Sequence, residues 1–226
     1  MEREQYLAVG ALGMKLTLSF DNGPHPEVTP AVLDVLRDRG VTAQFYVLGK
    51  RIAEPEGRRL VERARDAGHA IGNHSFSHGT PLGRDDRPDA VEAEIAATEA
   101  LLAPLVPGPR RFRPFGDGGV IGRHLLSRRA VDYLVAHGYS CILWNSVPGD
   151  WFDPEGWPAR ALADCAAQPH TLVVLHDVPG ACLAGLAGFI DAARARGIEL
   201  VGDVPASCAP IVDGRIARPL DDIVAA

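Results

Sequence analysis

The sequence predicts a single α/β domain built on a parallel sheet. Short apolar runs alternate with segments of helical period along the whole chain, and nearly every helical segment is stopped by Gly or Pro. The length, 226 residues with 46% apolar side chains, suits one such domain, and no low-complexity linker or repeat divides it. About seven strand–helix units favour a barrel over the alternative, an open doubly wound sheet. No G-x-G-x-x-G follows the first strand, which weakens the dinucleotide-binding form of that alternative.

The elements follow in order. Lys15 to Phe20 reads as a buried strand and runs into Asp21-Asn22-Gly23-Pro24. Thr29 is a good N-cap and Pro30 a good first helical residue; Val32, Leu33, Val35 and Leu36 keep helical spacing until Gly40. Val41 to Leu48, β-branched and aromatic, is a second strand. A helix over about Pro55 to Ala67 ends at Gly68, and Ala70-Ile71 leads into Gly72 to His78. Residues 79–88 form a polar loop. Asp89 to Leu102 is helical, with Val91, Ile95, Leu101 and Leu102 on its apolar side. Arg111 to Arg113 is a short strand before Pro114-Phe115-Gly116. Leu125 to His137 is a helix, Tyr139 to Trp144 a strand, Pro158 to Ala167 a helix, Thr171 to Leu175 a strand and Ala181 to Arg196 a helix. Ile198 to Val201 is the last strand. The single domain covers 1–226, with its core at about 15–202 and a tail, 203–226, without clear periodicity.

Bulk properties exclude several functions. A net charge of −6 with scattered basic residues argues against nucleic acid and anionic membrane as partners. No apolar run approaches the roughly 18 to 20 residues of a membrane span. The four cysteines are isolated and imply no disulfide framework. Met1 to Gly13 carries two acids and one Arg before a weak apolar patch, unlike a signal peptide, so a cytoplasmic location is expected. Nothing in the sequence speaks to oligomeric state.

Chemistry-bearing residues recur at strand ends. Asp21, His74 with His78, Arg113, Asp150 and His176 each follow a different expected strand, and in a parallel barrel those ends converge on one face. Each residue alone has an ordinary reading as a turn acid, a solvent-facing imidazole or a core histidine. Together they suit hydrolysis, in which a carboxylate takes a proton from water and an imidazole returns one to a leaving group. His74 and His78, four apart, could share a cation. No G-x-S-x-G or comparable nucleophile setting occurs, which favours direct attack by water.

Ser19 to Glu27 (S-F-D-N-G-P-H-P-E), Thr29 to Leu36, Val41 to Gly49, Gly72 to His78 (G-N-H-S-F-S-H), Arg113 to Gly116 (R-P-F-G), Asp150-Trp151 and Val174 to Asp177 (V-L-H-D) resemble, in order, the motifs of the polysaccharide deacetylases, the NodB homology domain of carbohydrate esterase family 4. The likeness spans about Leu16 to Val201. It implies a distorted (β/α)7 barrel and metal-dependent deacetylation of N-acetylated sugars. Asp21 would be the general base and His176 the general acid. Arg113 would hold Asp21, and Asp150 would tune His176. His74 and His78 would be ligands of a divalent metal, zinc or cobalt. Phe115 would lie where a backbone N–H helps form the oxyanion hole, and Trp151 and Val174 would shape the acetyl pocket.

Two departures bear on chemistry. Asn22 stands where the family carries its third metal ligand, an Asp, so the metal is held more weakly or lost. The third motif is one residue tighter than the family's Arg-Pro-Pro-Tyr form, which leaves Arg111 as a rival to Arg113. Three readings follow: deacetylation of an N-acetylated sugar or related small molecule; metal-independent hydrolysis of a small cyclic or linear amide, as in relatives that open ureides such as allantoin; and a degenerate saccharide-binding domain.

Overall fold

A computed structural model describes residues 13–226. Seven parallel strands form the barrel part of its nine-stranded sheet: β1 (Lys15–Asp21), β2 (Gln44–Val47), β3 (Ala70–Asn73), β4 (Arg110–Phe112), β5 (Tyr139–Cys141), β6 (His170–His176) and β7 (Glu199–Leu200). The order is β6-β1-β2-β3-β4-β5. A parallel bridge between Ser146 and Val173 brings the chain after β5 back to β6 and closes the ring. The two-residue β7 pairs only with Lys15 and Leu16 at the start of β1, while β2 takes Ser19 to Asp21 at its end. The result is the distorted α/β barrel that the sequence predicts.

Helices cross between strands: α1 (Val28–Asp38), α2 (Gly49–Ile52), α3 (Pro55–Asp66), α4 (Ala97–Leu102), α5 (Arg128–Ala136), α6 (Trp157–Ala167) and α7 (Leu183–Ala195). Strand periodicity sorts the side chains. Leu16, Leu18 and Phe20 of β1 face outward into a core shared with Val32, Leu36, Trp157 and Phe189 of the helices. The alternate residues Thr17, Ser19 and Asp21 therefore face the barrel interior, and all are buried. Gln44 and Tyr46 alternate in the same way with Phe45 and Val47. An apolar exterior wrapped in helices thus leaves a polar interior, which is where a site can be built.

Several elements differ from expectation. α1 begins at Val28, ahead of Thr29, whose hydroxyl donates to Asp177 Oδ2 at 2.5 Å; Glu27, at the N-cap position, makes no side-chain cap, and His25 Nδ1 accepts the N–H groups of Glu27 and Val28. β2 starts at Gln44 rather than Val41, and α5 at Arg128, where the Ser127 hydroxyl accepts from Ala130 N. The helix expected from Asp89 contains a π turn at Glu92–Ala96 that continues into α4. Residues 203–226 are ordered. β8 (Ile211–Val212) and β9 (Arg215–Ile216) form an antiparallel hairpin on the edge of β5. Ile211, Ile223 and Val224 are buried in a second core with Phe112, Leu126 and Leu134.

Candidate active site

The C-terminal ends of the strands open into one cavity of about 370 Å³, lined among others by Asp21, Asn22, His74, His78, Phe115, Trp151, Val174 and His176. Arg113 and Asp150 lie behind this lining and are fully buried.

Asp21 is the last residue of β1. Arg113 Nη1 donates to its Oδ1 at 2.9 Å and to Ser19 Oγ at 2.7 Å. The other guanidinium nitrogens reach the carbonyls of Ile142 and Leu143, and the Tyr46 ring lies 3.8 Å from its carbon. A buried cation is thereby bonded on its edges and faced by an aromatic ring. Burial alone would raise the Asp21 pKa, but Arg113, His74 and His176 outweigh it and hold the carboxyl below its ordinary value. Arg113, and not Arg111, contacts Asp21.

His176 ends β6. Asp150 bonds it twice: Oδ1 lies 2.8 Å from the ring Nδ1 and Oδ2 accepts the backbone N–H at 2.8 Å. A carboxylate only accepts, so Nδ1 carries a proton and Nε2 is the free nitrogen. Burial pulls the imidazole pKa down, but the Asp150 hydrogen bond and charge raise it above its ordinary value. Asp21 and His176 are thus displaced in opposite directions, each toward its charged form.

His74 follows β3. Its Nδ1 lies 2.9 Å from the Arg113 carbonyl, so Nδ1 bears the proton and Nε2, 3.6 Å from Asp21 Oδ2, holds a lone pair. The His78 ring lies 5.1 Å from that of His74 and stacks on Phe115 at 3.9 Å. Burial lowers both imidazole pKa values, that of His78 to about 3, which favours the neutral form that metals take. Asn22, in the left-handed region at φ 73°, contributes a buried side-chain oxygen without a hydrogen-bond partner. Two neutral imidazoles and an orphaned amide oxygen lining one cavity fit a divalent cation, though with no charge among the three. Among the described residues no group of three or more His, Cys, Asp or Glu side chains is placed to hold one.

One residue that builds the site was not anticipated, and the role of a second, Asp177 of the V-L-H-D motif, was left open. Glu94, in the π turn, accepts from the backbone N–H groups of Phe76 and Ser77 and from the Ser77 hydroxyl, and so fixes the loop between His74 and His78. Its sequence signal was an acid three residues after Val91, within the apolar stripe that continues to Ile95. Asp177 is buried behind Gly23, where a Cβ would come 2.2 Å from its Oδ2, so only glycine fits the turn after Asn22. Its Oδ1 has no partner, and burial pushes its pKa up to about 7.

Comparison with known proteins identifies the family. The family model described as polysaccharide deacetylase matches residues 12–138. A chitooligosaccharide deacetylase of Rhizobium leguminosarum bv. phaseoli is 31% identical over 166 residues, 72% of this chain and 67% of its own. A peptidoglycan-N-acetylglucosamine deacetylase of Bacillus cereus is 31% identical over 164 residues, 72% of each chain. Among solved structures, a family 4 acetyl xylan esterase from Clostridium thermocellum in complex with a cobalt ion superposes with a TM-score of 0.68 at 27% identity, over 82% of this chain and 86% of its own.

Proposed function

This chain belongs to the polysaccharide deacetylase family, and on that premise we propose that it removes the acetyl group from an N-acetylated sugar by direct attack of water. The observation that carries this is the pairing, in one cavity, of a carboxylate bonded by the Arg113 guanidinium with an imidazole bonded by the Asp150 carboxylate, contacts that lower the pKa of the first and raise that of the second. Such a pair is what amide hydrolysis needs at neutral pH.

In this reading Asp21 takes a proton from the attacking water, and Arg113 keeps its carboxylate ionised and aimed. His176, as an imidazolium protonated on both nitrogens, gives its Nε2 proton to the departing nitrogen, and Asp150 holds the Nδ1 proton and orients the ring. The backbone N–H of Phe115 donates to the oxyanion that forms on the acetyl carbonyl. Trp151 and Val174 enclose the methyl group. His74, His78 and Asn22 would hold a divalent cation, zinc or cobalt, weakly because Asn22 brings no charge. Such a cation supplies polarisation of the carbonyl oxygen.

Small N-acetylated saccharides such as the chitooligosaccharides named for one relative are the substrates this reading favours. The four buried, unpaired cysteines support a reducing compartment and thus a cytoplasmic location. Burial of the tail residues Ile211, Ile223 and Val224 supports one domain over the described residues, 13–226; residues 1–12 lie outside them. No described helix is long and apolar enough to cross a membrane. Purified protein is expected to release acetate from N-acetylglucosamine oligomers, and failure on a panel of N-acetylated sugars would count against the reading. Asn22 favours a second reading, hydrolysis without metal; activity that persists in excess EDTA selects it.

A further inference from the structure

Asp21 and His176 are partners in the parallel register of β1 and β6, so the base and the acid stand side by side where the two strands end. Beyond them β1 stops. Asn22 takes the left-handed conformation, and the chain turns away through Gly23 and Pro24 toward α1. Arg113 holds the Asp21 side chain, but the buried Asn22 amide oxygen has no hydrogen-bond partner. Its place is therefore set by the backbone of the turn.

Two contacts that fix this turn lead to Asp177. Its carboxyl is packed against Gly23, where a Cβ would come 2.2 Å from Oδ2 and 2.4 Å from Oδ1. The Thr29 hydroxyl donates to Oδ2 at 2.5 Å and accepts the backbone N–H of His25 at 2.7 Å, so it ties the far end of the turn to the same carboxyl. A third contact, from the Leu48 N–H to the Gly23 carbonyl at 3.0 Å, joins the turn to the residue after β2.

We propose that Asp177 is a positioning residue for the reaction, holding the turn that presents Asn22 through Gly23 and the Thr29 hydroxyl. This rests on the deacetylase reading of the site and adds to it a residue that lies outside the cavity lining.

The place of Asp177 in β6 gives the contact its consequence. Successive strand residues point to opposite sides. His176 lines the cavity, and Asp177 reaches the other way to Thr29 of α1. The end of β6 thus carries the acid on one side and the clamp on the turn on the other, which keeps acid, base and the Asn22 oxygen at one spacing. A carboxyl is also a costly way merely to fill this space. Its Oδ1 has no partner, and burial pushes its pKa up to about 7, so ionisation near neutral pH works against the fold. Groups held at such a cost cluster where geometry serves function.

The test is a double-variant cycle on Asp177→Ala and Thr29→Val. It is read by zinc affinity, in competition with a chromogenic chelator, and by kcat and KM for acetate release from an N-acetylglucosamine tetramer. Each single change is expected to weaken zinc binding and lower kcat by about tenfold or more, the scale for loss of an outer-shell partner, with KM held within about twofold. The double variant should be no worse than the poorer single, because both changes cut the same tie. Asp177→Asn, whose amide oxygen still accepts from Thr29, should recover most of the loss. Losses that multiply in the double variant, or an Asp177→Ala protein with zinc affinity and kcat unchanged, overturn the proposal. If Asp177→Ala shows no cooperative unfolding transition, Thr29→Val is read against Thr29→Ser, which restores the hydroxyl; equal zinc affinity and kcat in those two overturn the proposal instead. If the unmodified protein releases no acetate from N-acetylated sugars, the deacetylase reading fails and the zinc cycle alone decides the role of Asp177. If it binds no zinc, the kcat cycle decides, and a protein that does neither overturns both.

Discussion

Arg113 Nη1 donates to Asp21 Oδ1 at 2.9 Å in a place where the guanidinium has no solvent exposure. Neither charge can be removed alone at low cost, because the survivor is left buried and unpaired. Arg113→Met is expected to destabilise the fold by about 3 to 5 kcal/mol in denaturant unfolding. Adding Asp21→Asn to it should recover most of that loss. A double variant no more stable than Arg113→Met would mean that the pair is not the reason the arginine is needed.

Asp150 raises the His176 pKa, and this has a signed consequence for the pH dependence. A general acid must be protonated, so kcat/KM falls as pH rises through that pKa. Asp150→Asn removes the charge that lifts it, and the alkaline fall should begin at lower pH. The same shift contributes stability that is fully present below the unfolded value of about 6.5 and is lost as pH rises through the folded value. An unmoved alkaline limb in the variant would remove His176 from the acid role.

Asp177 has the opposite linkage for a carboxyl group, since its folded pKa is raised from 3.8 to about 7. Its contribution favours the fold at pH below 3.8 and is lost as pH rises toward 7. Asp177→Asn should therefore raise the free energy of unfolding at pH 8, by at most roughly 4 kcal/mol, and the gain should vanish near pH 4. A gain that is independent of pH would show that packing, not ionisation, is responsible.

Metal content tests the third-ligand position. Asn22→Asp places a carboxylate where the buried amide oxygen lacks a partner. It should raise zinc affinity by at least about tenfold, the effect of one added charge at short range. Glu94→Ala should act the other way, because it frees the loop that carries His78 and strands two backbone N–H groups, at a cost of about 3 kcal/mol in stability. Elemental analysis and competition with a chromogenic chelator measure both. Equal zinc retention by the unmodified protein and both variants would contradict the assignment of His74, His78 and Asn22.

How much of this was legible depended on local signal. β1 and β6 were readable because their apolar runs end abruptly in Asp21 and in His176-Asp177. The π turn at Glu92–Ala96 was not, since its residues fit an ordinary helix. The hairpin at 211–216 hid in strands of two residues, although Asp213-Gly214, with φ of 47° and 74°, is the turn pair such hairpins favour. The interior pairing of Gln44, Tyr46 and Arg113 joins β2 to the residue that follows β4, and no local pattern reports it. Thr29 misled because a hydroxyl beside Pro30 reads as a cap, whereas its partner, Asp177, lies 148 residues away.

The most direct measurement is acetate release from N-acetylglucosamine oligomers by the unmodified protein and by Asp21→Asn, each checked for intact fold. Hydrolysis by the unmodified protein, with a fall of about 10² to 10⁴ in kcat/KM for the variant, is the expected result for loss of a general base. Equal acetate release by the two proteins would contradict it.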